Sequence, residues 1–408
     1  GKSRTLAASV VLLDRLLRQR KDPRRIMLLC QTNAAVDAVL HTLLGRHRWD
    51  DFARLGSFKS VDPALLYRTV SLMATRPAAA AELSEALARR PPEVGEQLRA
   101  AVDSGVLPPR ATVWRRRRLV AATTTAIDAA DHFGAELLHC GFVFVDEATQ
   151  LTEPAIFSVL QRVAAQRLLV LGDPRQLPPR VSYTPLQRSL LERLWDERPG
   201  STRIEMAAQY RCHPAIAELG SALFYGGFLR SGISAESRAS VLGPEVPPLL
   251  VLLSSGSESR FGKSYRHESE ALQCVEWIGQ ASRRSGLAPS SFGVICFYRP
   301  QSESCAKAAA ACGLQGVQAS TVDAFQGAER EVIVLSCGRS TSTSIGSDRF
   351  CACPRRLNVA LSRARRHLVI FGGEAFLEQH PILGHILAVA RQRGCVRLAA
   401  AAFQVGRS

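Results

Sequence analysis

Two carboxylates stand side by side at the end of an apolar run in "FVFVDEATQ", at Asp146 and Glu147. Adjacent acids after a buried run are costly unless they hold a cation or activate a water. The alternative is a helix N-terminus decorated with acids, where the helix dipole favours negative charge. The chain opens on Gly1-Lys2-Ser3, the last three positions of the phosphate-binding pattern G-x-x-x-x-G-K-[ST], followed by an amphipathic helical stretch. Three residues are weak as a motif alone, but the acids give them a set of partners. In such a set the first acid, Asp146, holds Mg²⁺ through water, and the second, Glu147, accepts a proton from the attacking water. A further polar tip ends "LVLGDPRQLPP". There Gly172 and Asp173 turn the chain, Gln176 can place an amide near a terminal phosphate, and Pro178 and Pro179 stiffen the exit. A purely structural turn has no need of the glutamine.

These residues must be held by strands, because ligands of open α/β sheets sit beyond the strands' carboxyl ends. The runs "RIMLLC" (25–30), "RLVAAT" (118–123), "FVFVDE" (142–147) and "RLLVLGD" (167–173) read as buried parallel strands. The rhythm returns with "LLVLL" (249–253), "FGVICF" (292–297), "EVIVLS" (331–336) and "HLVIFG" (367–372), with helices such as 267–282 and 303–312 between them. The expectation is an α/β chain with two consecutive doubly wound sheets. Residues 60–112, rich in Ala, Pro and Arg, carry no strand signal and read as part of a helical insertion over 50–112. Residues 180–205 read as the passage between the sheets, and 338–354 as an exposed loop. The expected domains are 1–49 with 113–195, the insertion 50–112, and 205–403.

The 408 residues suffice for two or three domains with ample core. Lys and Arg number 52 against 36 Asp and Glu, a net charge of +16, with basic runs at Arg115 to Arg118, Arg355-Arg356 and Arg365-Arg366. Such an excess favours a polyanionic partner, nucleic acid above all, although a solvated Arg-rich surface has the same composition. No apolar run approaches the roughly 18 residues that span a membrane. The eleven cysteines are scattered. Cys30, Cys296 and Cys337 fall inside strand patterns and read as reduced, buried thiols. Cys351 and Cys353 lack the partners a zinc site requires.

In order along the chain come "GKS", "LLCQTNAAVD", "LVAATTTAI", "FVFVDEATQLTEP", "LVLGDPRQLPP", "QYRCHPAIAEL", "FGVICFYRPQ", "QASTVDAFQGAEREVIVLSC" and "RRLNVALSRARRHLVIFG". This series resembles the superfamily 1 helicases of the up-frameshift-like class, closest in wording to the branch with a GRF-type zinc finger. The resemblance covers nearly the whole chain apart from 50–112. It implies two tandem RecA-like domains that place ATP in the cleft between them. Lys2 would then neutralise the β- and γ-phosphates, Gly1 would belong to the same loop, and Ser3 and Asp146 would hold Mg²⁺. Glu147 would be the base for water, and Gln176 the sensor of the γ-phosphate. Tyr210 would stack on adenine, Glu329 would reach the ribose, and Arg211 and Arg363 would be arginine fingers. His213-Pro214 shapes the loop after Arg211 and receives no chemistry.

The resemblance also implies a nucleic-acid strand across both domains. Its contacts would be Thr32, Asn33, Thr123 and Thr124 in the first domain and Ser320, Thr321 and Asp323 in the second. Short hydroxyls and amides at strand ends suit phosphate and ribose oxygens; a single threonine there serves equally as a helix N-cap. The insertion matches the family's accessory arm in length. The phosphate loop's glycine-rich front is expected to precede Gly1. The implied activity is ATP-driven 5′→3′ translocation on single-stranded or duplex DNA or RNA, plausibly in DNA repair or recombination. The alternatives are an RNA helicase of surveillance or decay, a catalytically weak nucleic-acid clamp, or a P-loop ATPase acting on proteins. The implied setting is a reducing intracellular compartment, the nucleus before the cytoplasm, with no membrane and no protein partner named by the sequence.

Overall fold

The computed structural model describes residues 1–56, 60–70, 117–128, 140–198, 200–262, 264–341 and 350–402. The chain forms two compact α/β units. One comprises Gly1–Pro174 and Pro178–Ile204, the other Arg175–Leu177 and Glu205–Ser408. Both are RecA-like, each a six-stranded parallel sheet with helices on both faces.

In the first unit the strands are β1 (Ile26–Cys30), β2 (Phe52–Leu55), β3 (Thr69–Val70), β4 (Leu119–Thr123), β5 (Phe142–Val145) and β6 (Arg167–Val170). Their order across the sheet is β3-β2-β4-β1-β5-β6. β1 shows why both faces are covered. Ile26, Leu28 and Cys30 join the core under helices α1 (Lys2–Gln19) and α2 (Asn33–His47), while Met27 and Leu29 join the opposite core. That second core is closed by α3 (Thr124–Asp128), α4 (Glu153–Leu160) and α5 (Leu190–Glu197). In α1 the buried positions Leu6, Ala7, Val10, Val11, Asp14 and Leu17 follow the helical period. Buried Asp14 accepts from Arg18, Trp49 and Arg118 at 2.9–3.0 Å.

In the second unit a short parallel pair comes first, β7 (Ala208–Gln209) and β8 (Arg230–Ser231). The main sheet contains β9 (Leu249–Leu253), β12 (Phe292–Cys296), β13 (Gln318–Thr321), β14 (Arg330–Ser336), β15 (Ala364–Gly372) and β16 (Val396–Leu398). Their order is β13-β12-β14-β15-β9-β16. A hairpin, β10 (Ser259–Phe261) with β11 (Ser264–Arg266), follows β9. Helices α6 (Pro214–Phe224), α9 (Pro354–Leu361), α10 (Glu374–Gln379) and α11 (Pro381–Gln392) pack on one face. Helices α7 (Glu268–Ser285) and α8 (Arg299–Ala311) pack on the other.

Three expectations are corrected. The insertion does not begin at residue 50, because β2 pairs in parallel with β4 (Phe52↔Leu119) and β3 extends the same sheet. β2 reads poorly as a buried strand because it contains Arg54. That side chain is fully buried, 2.8 Å from Asp37 and 2.7 Å from Asn33 Oδ1. Residues 57–59 and 71–112 of the expected arm lie outside the described residues. β6 is an edge strand instead of a buried one, with Leu168 and Leu169 each 38% exposed on opposite faces. The stretch 338–354 is only partly exposed: Arg339 and Cys351 have no exposure, Thr341, Phe350 and Pro354 are exposed, and 342–349 lie outside the described residues. Cys30, Cys296 and Cys337 are free and buried as expected. No helix among the described residues is long and apolar enough to cross a membrane.

Candidate functional site

The register of the first sheet brings its carboxyl ends level: Cys30 pairs with Thr123, Leu29 with Val145, and Val145 with Val170. Asp146 extends the β1–β5 ladder, its N–H donating to Leu29 O at 2.9 Å. The chain then turns sharply. Glu147 takes φ +50°, and the Ala148 N–H returns to Leu171 O beyond β6. A left-handed backbone at a non-glycine residue costs of order 1–3 kcal/mol and gathers at functional sites. Here it aims one carboxylate inward and the other outward. Asp146 is 2% exposed, whereas Glu147 reaches Lys2, with Nζ 3.1 Å from Oε1. Helix α1 starts at Lys2 with Gly1 as its N-cap, so the G-K-S residues and the acids form one cluster.

Burial, reinforced by the Glu147 charge, pushes the Asp146 carboxyl up to about 6; Lys2 and the Glu147 N–H work against this. The same carboxylates add to the effect of burial on the Cys30 thiol, which is held well above its usual range. A buried carboxylate beside a second acid, with one lysine to offset both, has the donor chemistry of a divalent-cation site. Ser3 adds a hydroxyl from the first turn of α1.

The neighbouring polar residues serve the fold. Thr32 Oγ1 accepts the Ala35 N–H at 3.2 Å and caps α2; Thr123 Oγ1 accepts the Ala126 N–H at 3.2 Å. Thr123 and Thr124 are buried. Asn33 Oδ1 is committed to Arg54. Thr32 and Thr123 are thus N-caps in this structure. Gln176 is half-buried in Arg175–Leu177, a stretch that packs with the second unit. There Asn358 Nδ2 donates to Arg175 O at 2.9 Å, and the Arg175 guanidinium lies 5.2 Å from the Tyr225 ring centre.

In the second unit the expected residues divide between opposite edges of the sheet. Arg330 pairs with Ala364 at the amino ends of β14 and β15, and Glu329 and Arg363 directly precede them. Arg211 donates to Glu329 Oε2 at 2.5 Å and to Ser362 O at 2.9 Å. Arg363 is buried, donating to Val359 O at 2.9 Å and Ser362 Oγ at 2.8 Å. Ser362 therefore joins the two arginines. Arg365 holds the other oxygen of Glu329, with Nε at 2.8 Å. Burial opposes ionisation of Glu329, but Arg211 and Arg365 on either side hold its carboxyl below the usual range.

Gln209, which the sequence reading passed over, orients this corner. Its Oε1 accepts the N–H groups of Arg211 and Cys212 at 2.7 and 2.8 Å. Tyr210 leaves β7 47% exposed, its ring against Gly232 beyond β8, where any Cβ would lie 2.4 Å from a ring carbon. His213 Nδ1 caps α6 through the Ala215 N–H.

Ser320, Thr321 and Asp323 lie at the carboxyl edge, where Cys296 pairs with both Thr321 and Ser336. Among the described residues Ser320 Oγ and Asp323 Oδ1 there have no hydrogen-bond partner, nor has Gln326 Nε2 further along the same segment, and other such atoms are scattered through both units. A buried polar atom of this kind is satisfied by water, an ion or a ligand. Asp323 keeps one contact, Oδ2 to Arg356 Nε at 3.4 Å. Gln326 was also missed by the sequence reading, although it stands in the motif "QASTVDAFQGAEREVIVLSC".

Comparison with known proteins adds the following. A family model described as an AAA domain matches residues 85–183, and a second of the same description matches 186–375. The mouse 5'-3' DNA helicase ZGRF1 is 31% identical over 95% of this chain and 21% of its own length. The Arabidopsis thaliana Regulator of nonsense transcripts 1 homolog is 34% identical, covering 62% of this chain and 21% of that protein. The Saccharomyces cerevisiae ATP-dependent helicase NAM7 is 34% identical over 62% of this chain and 27% of its own. The chain thus spans between a fifth and about a quarter of the length of these relatives. Among solved structures, an arterivirus nonstructural protein 10 helicase with DNA aligns at 15% identity and a TM-score of 0.44, over 94% of this chain and 60% of that one. The fold assignment rests on the sheets described above, not on that likeness.

Proposed function

We propose that this chain, which belongs to the superfamily 1 helicases of the up-frameshift-like class, is the ATP-hydrolysing motor of a nucleic-acid helicase. The observation that carries the reading is the cluster of Lys2, Asp146 and Glu147 at the carboxyl edge of the first sheet. Lys2 at the start of α1 suits phosphate oxygens through its charge and through the helix N-terminus behind it. Ser3 and Asp146 would hold Mg²⁺, which when bound offsets charge on the phosphate oxygens. Glu147 takes the proton from the attacking water. Its carboxylate is paired with Lys2 at 3.1 Å, so phosphate that draws the ammonium away also releases the base. Arg211 and Arg363, joined through Ser362, are assigned to the γ-phosphate as planar donors. Tyr210 is assigned to the adenine ring, Glu329 to the ribose and Gln176 to sensing the γ-phosphate.

The strand is assigned to the carboxyl edge of the second sheet, where the unpaired Ser320 and Asp323 atoms favour a polar ligand. Thr32, Asn33, Thr123, Thr124 and Thr321 complete the assigned contacts. Single-stranded DNA with 5′→3′ movement is the preferred substrate reading, supported by the relative that aligns over 95% of the chain. RNA is the second reading, supported by the relatives named for nonsense transcripts.

The test is Glu147→Gln. Loss of a positioned base costs about 10²–10⁴ in turnover. Strand-stimulated ATP hydrolysis should fall by at least the lower figure while ATP binding persists. Turnover equal to wild type would remove Glu147 from the chemistry.

A further inference from the structure

We propose that the β10–β11 hairpin is a base-stacking contact for a single nucleic-acid strand, with Phe261 as the stacking ring. The proposal rests on the helicase reading and adds a residue that none of the assignments above uses. Phe261 ends β10 and is 58% exposed; the chain turns at Gly262, with φ +62°, into β11. One arginine lies against the ring, and a second projects from the other face of the hairpin. The Arg266 guanidinium lies 5.5 Å from its centre, and Arg260 is exposed, its Nε donating to Gly262 O at 3.1 Å.

A single exposed phenylalanine is ordinary. What sets this one apart is the effort spent on holding its base still. Arg339 beneath the hairpin has no exposed side chain. Its guanidinium lies 3.9 Å from the centre of the Tyr265 ring on β11 and 3.3 Å from Glu258 just before β10. Glu258 also accepts the Ser340 N–H at 2.8 Å and the Thr341 hydroxyl at 2.6 Å. Tyr265 meets Tyr298 edge-on at 5.4 Å. A buried Arg–Glu pair adds little net stability, because desolvation offsets the attraction. It does fix direction. The short hairpin is tied to segments following β14 and β12, and its tip is left in water.

The direction is the informative part. Thr321, Cys296, Ser336 and Phe371 are level across four neighbouring strands, and Gly372 is level with Leu253 at the end of β9. The hairpin therefore rises from the same carboxyl edge that carries the unpaired atoms of Ser320 and Asp323. β11 packs on α8, which also packs on β13. An exposed ring beside one cation, with a second at the same hairpin and unpaired polar groups on the same edge, fits a base with its phosphates. Every base has a π-face, so the contact tolerates any sequence, as a translocating motor requires.

The experiment measures binding of wild type and Phe261→Ala to a fluorescent oligodeoxynucleotide without nucleotide present, by anisotropy. A second strand of the same length has abasic sites throughout its centre. Phe261→Ala should bind the ordinary strand roughly tenfold more weakly, in the range stacking contacts contribute, and the abasic strand as wild type does. Phe261→Trp should retain or tighten binding to the ordinary strand. Equal affinities of wild type and Phe261→Ala for the ordinary strand would overturn the proposal. So would an equal loss on both strands, which would mark a backbone contact. A wild-type protein that binds neither strand would instead fail the helicase reading, a result read before any variant is compared.

Discussion

Asp146→Asn should make the protein more stable and inactive, and the gain should depend on pH. The wild-type carboxyl is 2% exposed, and burial beside Glu147 raises its pKa from the ordinary 3.8 to about 6. Below pH 3.8 the folded and unfolded chains both hold the proton and there is no penalty. Between 3.8 and about 6 the unfolded chain releases its proton first, so stability falls as pH rises. Above about 6 both forms are ionised and the full penalty remains, about 3 kcal/mol at 1.36 kcal/mol per pH unit. Asparagine keeps the shape and the Oδ1 that accepts the Glu147 N–H at 2.9 Å, and removes the charge. Urea unfolding should show the variant up to about 3 kcal/mol more stable near pH 8, with the gain lost near pH 4. Added Mg²⁺ should stabilise wild type near pH 8 and leave the variant unmoved. A variant no more stable than wild type near pH 8, or a gain that persists undiminished at low pH, would refute the reasoning.

Arg211→Ala should lower strand-stimulated turnover by about 10³ or more, and Arg211→Lys should recover little of it, since a point charge cannot copy the guanidinium fork. Turnover that recovers at saturating strand would show Arg211 to be a nucleic-acid contact instead. Gly293→Ala should destabilise the second unit by about 1–3 kcal/mol in denaturant unfolding, because the added Cβ would lie 2.6 Å from Phe325 Cζ inside a packed core. The same change should weaken strand stimulation of ATP hydrolysis more than unstimulated hydrolysis. An equal effect on both would mean that it acts through stability alone.

The legible strands were those apolar on both faces. β1, β5, β9, β12 and β14 each sit between two helical layers, so their runs are continuous in Val, Leu, Ile and Phe. β2 escaped because Arg54 interrupts four residues, and only the three-dimensional placement of Asp37 and Asn33 makes that arginine tolerable in a core. β13, "QAST", escaped because it lies at the sheet edge with polar side chains half-buried. β6 misled in the other direction, since its sequence reads as a central strand and its position leaves it uncovered. Asp146 and Glu147 were legible because two charges after an apolar run need a reason. Gln209, Ser362, Arg365 and Gln326 carry no such signal. Their roles lie in hydrogen bonds to backbone atoms, in an ion pair with a residue distant in sequence, or in a missing partner, and none of these has a spacing rule.

On the assignments proposed above, strand and nucleotide would meet opposite edges of the second sheet. Thr321 ends β13 at the carboxyl edge, and Arg330 begins β14 at the amino edge. Only the residues between them join the two places, and Asp323, Gln326 and Glu329 are among these. Phe325 pins the middle of the segment, fully buried against Gly293 and Ile333, and the Thr321 carbonyl accepts the N–H groups of Ala324 and Phe325. The segment is short, anchored at Thr321 and Phe325, and turns at Gly327 with φ +87°. If a strand draws Ser320 and Asp323 toward itself, the expected result is movement at Glu329 and in the Arg211 and Arg365 pairs that hold it. Coupling of this kind needs no long pathway, only one short connection with a ligand-sensitive end and a charge-bearing end.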